Sequence, residues 1–321
     1  MSLRIYQTRA EWMADRRSGT PDFEVGASDA AGLVGLSPWA SPWDSWAAGA
    51  VGGGNPPAEA DARRGHLVEA TAAALWAAEA GVHLWGSDGL WSPDSDAVPR
   101  LPLMRARAGW LAVTPDALGI EPGGARIAIE TKAPRTLDAW PDEDATVRDP
   151  DAEGVPVPPQ YAVQAACQMY ALHAVGVTVA AVVLVASSGW AWRRAVRIEA
   201  TPAGLRWATR VVAHVGAARR RILLERREPD PDASAACLAE LRSRLPPRPA
   251  TIEGTDEDAA LVAAFAEARA QESEAAAAIA DLRPRILARL TGAGANAILT
   301  PSHRLTADKR GALKVQNRSP E

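Results

Sequence analysis

The sequence predicts an α/β fold: a mixed central β-sheet flanked by helices, followed by a helical C-terminal appendage. Three observations carry this. Stretches of strand character at residues 82–91, 106–113, 126–132, 177–187 and 190–199 alternate with helical stretches instead of collecting at one end of the chain. The 321 residues, 47% of them hydrophobic, suffice to bury a sizeable core. Beyond Glu228-Pro229-Asp230-Pro231-Asp232 the strand pattern fades and an Ala-rich, acidic helical stretch dominates, which divides the chain into a core of residues 1–228 and an appendage of residues 229–321.

The elements follow in order. Residues 1–25 read as a short polar helix and a turn, and residues 26–50 as two helices around a Ser-Pro-Trp turn. A Gly/Pro-rich link at 51–57 precedes a long Ala-rich helix that ends at Gly81. The stretch running to Ile120, the turn Glu121-Pro122-Gly123-Gly124 and the strand Arg126 to Lys132 have the pattern of a β-hairpin. Residues 138–159 are acidic, Pro-rich and without periodicity, which reads as a loop. A helix at 160–175, a buried strand at 177–187, an alternating strand at 190–199 and a helix at 202–227 complete the core. The appendage reads as a short helix, a Pro-rich joint at 246–249, a long helix from about 255 to 290, and a small hairpin with a frayed basic tail.

Composition narrows the function classes. A net charge of −4 does not mark a nucleic-acid binder, but a local basic track would serve, and the runs Arg63-Arg64, Arg193-Arg194, Arg219-Arg220-Arg221 and Arg226-Arg227 are its candidates against a reading as solvated helix faces. Cys167 and Cys237 have no CxxC spacing, which argues against a zinc site or an iron–sulfur cluster and suits reduced thiols in a cytoplasmic protein. No run approaches the roughly 20 apolar residues of a membrane span, and the N-terminus lacks an apolar signal core.

The hairpin carries the chemistry. Asp116 closes Thr114-Pro115-Asp116 beside the first strand, and Glu130-Thr131-Lys132 ends the second. Side chains alternate along a strand, so Glu130 and Lys132 share a face while Ile127 and Ile129 point to the opposite, buried one. The hairpin sets Asp116 beside Glu130. Two adjacent carboxylates repel unless a cation lies between them, and such oxygen ligands suit Mg²⁺ or Mn²⁺, with the main-chain carbonyl of Thr131 as a further metal ligand. Phosphodiester hydrolysis needs an activated water and stabilised phosphoryl charge. A bound metal supplies both, and Lys132 can orient or help deprotonate the water and offset developing negative charge. Alone, this pattern equally suits a Glu–Lys pair on an exposed strand edge.

Three further segments add to it. Gly26-Ala27-Ser28-Asp29-Ala30, followed by Leu36-Ser37-Pro38-Trp39 and Pro42-Trp43-Asp44-Ser45-Trp46, resembles the N-terminal signature of the YqaJ-like viral recombinases, the family that includes phage lambda exonuclease within the PD-(D/E)XK nucleases. Gly65-His66-Leu67-Val68-Glu69 resembles the family's G-x-x-x-E helix, and Tyr161-Ala162-Val163-Gln164, continuing to Gln168-Met169-Tyr170, its Y-x-x-Q helix. The motifs stand in the family's order over about residues 24–200.

The resemblance implies a restriction-endonuclease-like core and a role for each residue. Glu69 would be a metal-linked carboxylate, Asp116 and Glu130 metal ligands, Lys132 the catalytic lysine. Gln164 would position the water or the lysine, and Ser28 would contact a terminal 5′-phosphate. The bland readings are a solvent-facing Glu69, a surface Gln164, a plain N-cap at Ser28, and core packing for Trp39, Trp43 and Trp46. The arginine that accompanies the serine in the family has no aligned counterpart. Arg16 and Arg17 are its candidates, so 5′-phosphate recognition is open. The basic residues of 302–318 either grip phosphates or form a disordered tail.

The implied activity is Mg²⁺- or Mn²⁺-dependent hydrolysis of double-stranded DNA from an end, 5′ to 3′, in phage-type recombination. A single-strand annealing protein is the implied partner, and a homo-oligomer, a trimer by analogy, the implied assembly. The alternatives are an endonuclease or Cas4-like nuclease on the same core, or a scaffold that binds DNA ends without cleaving them.

Overall fold

The computed structural model describes residues 1–6, 11, 14–15, 24–50, 68, 71–85, 103–188, 193–246 and 251–317. It divides into two compact units, Met1–Leu245 and Pro246–Glu321. In chain order the first unit holds β1 (Ser2–Tyr6), β2 (Val25–Gly26), α1 (Ala27–Leu33), α2 (Pro42–Ala48), helical residues 71–79 as α3, β3 (His83–Leu84), β4 (Leu103–Ala108), β5 (Leu111–Val113), β6 (Ala117–Ile120), β7 (Arg126–Lys132) and β8 (Ala145–Val147). It continues through α4 (Pro150–Glu153), α5 (Pro159–Ala174), β9 (Ala181–Ser187), β10 (Arg193–Glu199), α6 (Pro202–Arg219) with a π-helical turn at Arg220–Leu224, and α7 (Ala235–Ser243).

Two sheets organise this unit. The larger runs β3-β6-β7-β9-β10-β8 and is mixed: β7 pairs antiparallel with β6 and parallel with β9, while β10 is antiparallel to β9 and parallel to β8. The smaller runs β1-β4-β5-β2. The mixed sheet flanked by helices is the α/β architecture expected from the sequence. Helix α5 packs against α1, α6 and strands of both sheets, and its segment from Val163 to Met169 is buried throughout. A segment buried on every side cannot be amphipathic, and residues 163–169 are accordingly apolar except for Gln164 and Gln168.

The central sheet is covered on both faces. Ala128, Val182, Leu184 and Ala186 join the α5 side, while Ile127, Ile129, Val183 and Val185 join Ala73, Ala74 and Ala77 of α3 on the other. Continuous apolar runs such as Ala181–Ser187 follow from this double burial. Gly119 sits where a Cβ would meet Val82 at 2.5 Å, so close approach across β6 requires glycine there.

Several expectations are corrected. The first residues form β1 ahead of any helix, because Ser2–Tyr6 pairs antiparallel with β4 along its full length, while the described residues 11, 14 and 15 are helical as expected. The stretch 106–113 is not one strand: Gly109, at φ +65°, turns β4 back into β5. The segment 138–159 is not an unstructured loop. It adds β8 as an edge strand and α4, capped by the Asp149 carboxylate on the amides of Asp151 and Ala152. The strand expected at 82–91 is limited among the described residues to His83–Leu84.

In the second unit α8 (Asp256–Gly292) begins in a capping box between Thr255 and Asp258. The expected hairpin and frayed tail are instead a three-stranded antiparallel sheet of β11 (Ala297–Leu299), β12 (His303–Ala307) and β13 (Leu313–Asn317). The turn between β12 and β13 is tied by Asp308, whose carboxylate accepts from the amides of Arg310 and Ala312. No described helix is long and apolar enough to cross a membrane.

Candidate active site at the end of the central hairpin

The β6–β7 register sets the site. Ala117 pairs with Ile129, so the next step of the antiparallel ladder places Asp116 across from Glu130. β6 ends there, and the Asp116 carboxylate takes over its ladder role. Its Oδ2 accepts from the Thr131 amide at 2.7 Å and the Thr131 hydroxyl at 2.8 Å.

Glu130 faces the opposite helix layer and is only 4% exposed. Three donors converge on it. Lys132 Nζ and Gln164 Nε2 both donate to Oε1 at 2.5 Å, and Gln168 Nε2 donates to Oε2 at 2.5 Å. The two glutamines lie one turn apart on α5 and so present their amides on one side of that helix. The expected shared face of Glu130 and Lys132 is present, but it is buried, so the exposed strand-edge reading does not hold. The surface-amide reading of Gln164 also fails, since that side chain is 7% exposed.

Burial and the neighbouring Asp116 charge push the Glu130 carboxyl up to about 7, against the opposing pull of Lys132. For Lys132, burial acts downward, but the Glu130 and Asp116 carboxylates outweigh it and hold the ammonium above the usual lysine range. Among the described residues, the two carboxylates thus have Lys132 as their shared cation. An additional cation would relieve the surplus negative charge, and the donor set is all oxygen, which fits a hard divalent ion. Among the described residues no group of three or more His, Cys, Asp or Glu side chains is placed to hold a metal ion, at this site or elsewhere. Glu69 lies outside the described residues, as do Arg16, Arg17 and the Arg63-Arg64 run.

An aromatic row leads away from this cluster. Lys132 Nζ stands 5.2 Å from the Tyr161 ring centroid, and Tyr161 lies 5.8 Å from Trp140 and 6.3 Å from Trp39. Trp43 is fully buried and Trp46 half-buried, as core packing requires, whereas Trp39 is 43% exposed. Trp39 also lines a cleft of about 840 Å³ formed by the α1–α2 loop, α6 and the segment before α7. Neither Asp116 nor Glu130 reaches that cleft.

Ser28 is the second residue of α1 and is exposed. It is not an N-cap: Gly26 occupies that position and makes no side-chain cap. α1 packs on α5, the helix that carries Gln164. Several expected basic-track residues are engaged within the molecule. Arg193 pairs with Glu79, Arg194 donates to the carbonyls of Pro141 and Arg193, Arg219 stacks on Trp110, and Arg226 stacks on Trp46. Cys167 is buried, and desolvation pushes its thiol up to about 12, which removes it as a nucleophile.

One residue of the cluster goes beyond the roles assigned from sequence. Gln168 is fully buried and completes the hydrogen bonding of Glu130. Its signal was the four-residue spacing from Gln164, which puts both amides on one helix face.

No curated protein matches the chain. Among solved structures, the alkaline exonuclease LHK-Exo from Laribacter hongkongensis is similar at 17% identity, covering 67% of this chain and 95% of that one, with a TM-score of 0.40. LHK-Exo in complex with dAMP is similar at 18% identity, covering 73% of this chain and 95% of that one, also with a TM-score of 0.40. The model of the YqaJ-like viral recombinase domain matches residues 11–174, just over half of the chain. That span contains Ser28, Asp116, Glu130, Lys132, Gln164 and Gln168, and the chain belongs to the YqaJ-like viral recombinase domain family.

Proposed function

We propose that the protein is a metal-dependent DNA nuclease that digests double-stranded DNA from its ends, 5′ to 3′, with Asp116, Glu130 and Lys132 at the catalytic centre. The observation that carries this reading is the buried Glu130 carboxylate, held by Lys132, Gln164 and Gln168 and set in register with Asp116. A fold gains nothing in stability from two adjoining carboxylates, one of them buried, unless their charge is used.

Asp116, Glu130, the Thr131 carbonyl and Glu69 are the residues that would hold Mg²⁺ or Mn²⁺. When bound, such an ion supplies an activated water and neutralises phosphoryl charge. Lys132, kept as an ammonium by its two carboxylate neighbours, orients that water and stabilises charge developing on the phosphate. Gln164 shares Glu130 Oε1 with Lys132 and therefore positions the lysine through the carboxylate. Ser28, with the amides at the start of α1, receives the terminal 5′-phosphate. Family membership supports a recombination context, in which the 3′ single strand left behind would pass to a single-strand annealing protein.

The test is digestion of linear duplexes labelled at either end, with and without a 5′-phosphate, beside closed circular DNA. Mg²⁺, Mn²⁺ and a chelator are compared. The expected result is metal-dependent release of mononucleotides from 5′-phosphorylated ends. Cleavage of closed circles would replace this reading with an endonuclease. Tight end binding without cleavage under any metal would replace it with a scaffold.

A further inference from the structure

We propose that α8 is an association helix that pairs antiparallel with α8 of a second copy of this chain. The helix spans Asp256–Gly292, and large apolar side chains stand exposed along it: Leu261 at 70%, Val262 at 67%, Phe265 at 68%, Ile279 at 62% and Leu282 at 48%. All but Val262 lie on one stripe. Asp258, Leu261, Phe265, Ala268, Glu272, Ala275, Ile279, Leu282, Ile286 and Arg289 follow one another at strict three- and four-residue spacing. This is the seam of a heptad repeat, whose period favours a partner helix over burial against a sheet. Pro284, the residue least suited to a helix interior, falls on the side away from the seam.

The order of residues in the seam identifies the occupant. Read against itself in reverse, the series is self-complementary about its midpoint between Ser273 and Glu274. Leu261 meets Ile286, Phe265 meets Leu282, Ala268 meets Ile279, and Glu272 meets Ala275. Any three–four repeat matches its own reversal in spacing; what is particular to this one is that small Ala268 falls opposite larger Ile279 and the bulkiest residues, Phe265 and Leu282, fall opposite each other. Charge follows the same reversal. The first turn is acidic at Asp256, Glu257 and Asp258, and the last turns are basic at Arg283, Arg285 and Arg289. Antiparallel pairing sets Asp258 against Arg289. A parallel pair would set three acids against three acids at one end and three arginines against three at the other, with Glu272 against Glu272 between them. Glu272 is already ion-paired with Arg269 on its own helix, and opposite Ala275 it keeps room to reach solvent. From Leu261 to Ile286 the seam is about 39 Å long at 1.5 Å per residue, enough for a sustained helix pair.

Sedimentation of the full chain at micromolar concentration tests the inference. The wild type is expected at twice the mass of a Phe265→Glu/Leu282→Glu variant. Glutamate is a good helix former at exposed positions, so helix content by circular dichroism should be unchanged. Direction is tested with cysteines, since Cys167 and Cys237 are both buried. Ala268→Cys chains mixed with Ile279→Cys chains are expected to cross-link on oxidation, while neither does so alone. Equal masses for wild type and variant would overturn the proposal and leave the seam to a contact within one chain or to another protein. Self-cross-linking of each single variant would overturn the antiparallel arrangement.

Discussion

Two clusters of charge in the first unit use the same side-chain types to opposite ends. On the smaller sheet, Asp15 and Glu24 sit among Arg4, Arg105 and Arg107, with Arg105 only 6% exposed and bonded to both acids. Three guanidinium groups face two carboxylates. Burial pushes Asp15 upward, but the Tyr6 hydroxyl and the three arginines outweigh it and hold the carboxyl below the usual range. At the end of β7 the count is reversed. Among the described residues Asp116 and Glu130 have Lys132 as their neighbouring cation, and Glu130 rises to about 7. The first cluster is electrostatically complete and ties β1 to β4. In the second, desolvation and the Asp116 charge outweigh Lys132 at Glu130, a balance that a catalytic cation would reverse.

Breaking each cluster should therefore cost different things. Lys132→Ala or Glu130→Gln is expected to lower nuclease activity by roughly 10³-fold, the scale for losing a charge-stabilising group at a reaction centre. The fold should survive, as judged by a retained cooperative melt. Retained metal-dependent cleavage by Lys132→Ala would remove the lysine from the mechanism. Arg105→Met should do the reverse. It removes the most buried of the three guanidinium groups, leaving Arg4 and Arg107 on Asp15 and Arg107 on Glu24, and should reduce unfolding free energy by about 3 kcal/mol in denaturant titration, with specific activity of the folded fraction intact.

The pH dependence sharpens the contrast. Glu130 has its folded value raised, so its contribution to stability is full below the ordinary carboxyl range and is lost as pH rises through about 7. The loss is on the order of 3 kcal/mol at most. Metal-free protein should therefore show a melting temperature that falls from pH 5 to pH 8 more steeply than that of Glu130→Gln. Added Mg²⁺ should restore the wild type at pH 8, by about 2.7 kcal/mol at a hundred times its dissociation constant, and should leave Asp116→Asn unchanged. Identical pH profiles for wild type and Glu130→Gln would show that the carboxylate carries no such strain. The smallest expected effect is that of Gln168→Leu, which leaves Glu130 Oε2 without its donor. It should cost about 1–3 kcal/mol of stability. Because it loosens the lysine's partner, it should also lower kcat more than it raises KM.

Much of the site was legible because it depends on local rules. Strand alternation put Glu130 and Lys132 on one face, the turn at Glu121-Pro122-Gly123-Gly124 fixed the hairpin, and the spacing of Gln164 and Gln168 fixed a helix face. Two of the misreadings share one cause. β1 and β8 are edge strands of five and three residues, defined by pairing with β4 and β10 far along the chain, and short segments carry too little periodicity to announce such partners.

The sequence by itself determined which residues could do chemistry and in what order they stand. It also carried the heptad seam of α8, since a repeat is a local property. Only the tertiary structure decided that α5 lays its glutamines onto Glu130, and that both faces of β7 are buried. It alone set three arginines around one pair of acids and Lys132 beside the other. Burial and charge balance depend on which distant segments meet, and a carboxylate's behaviour follows from that company, not from its neighbours in the chain.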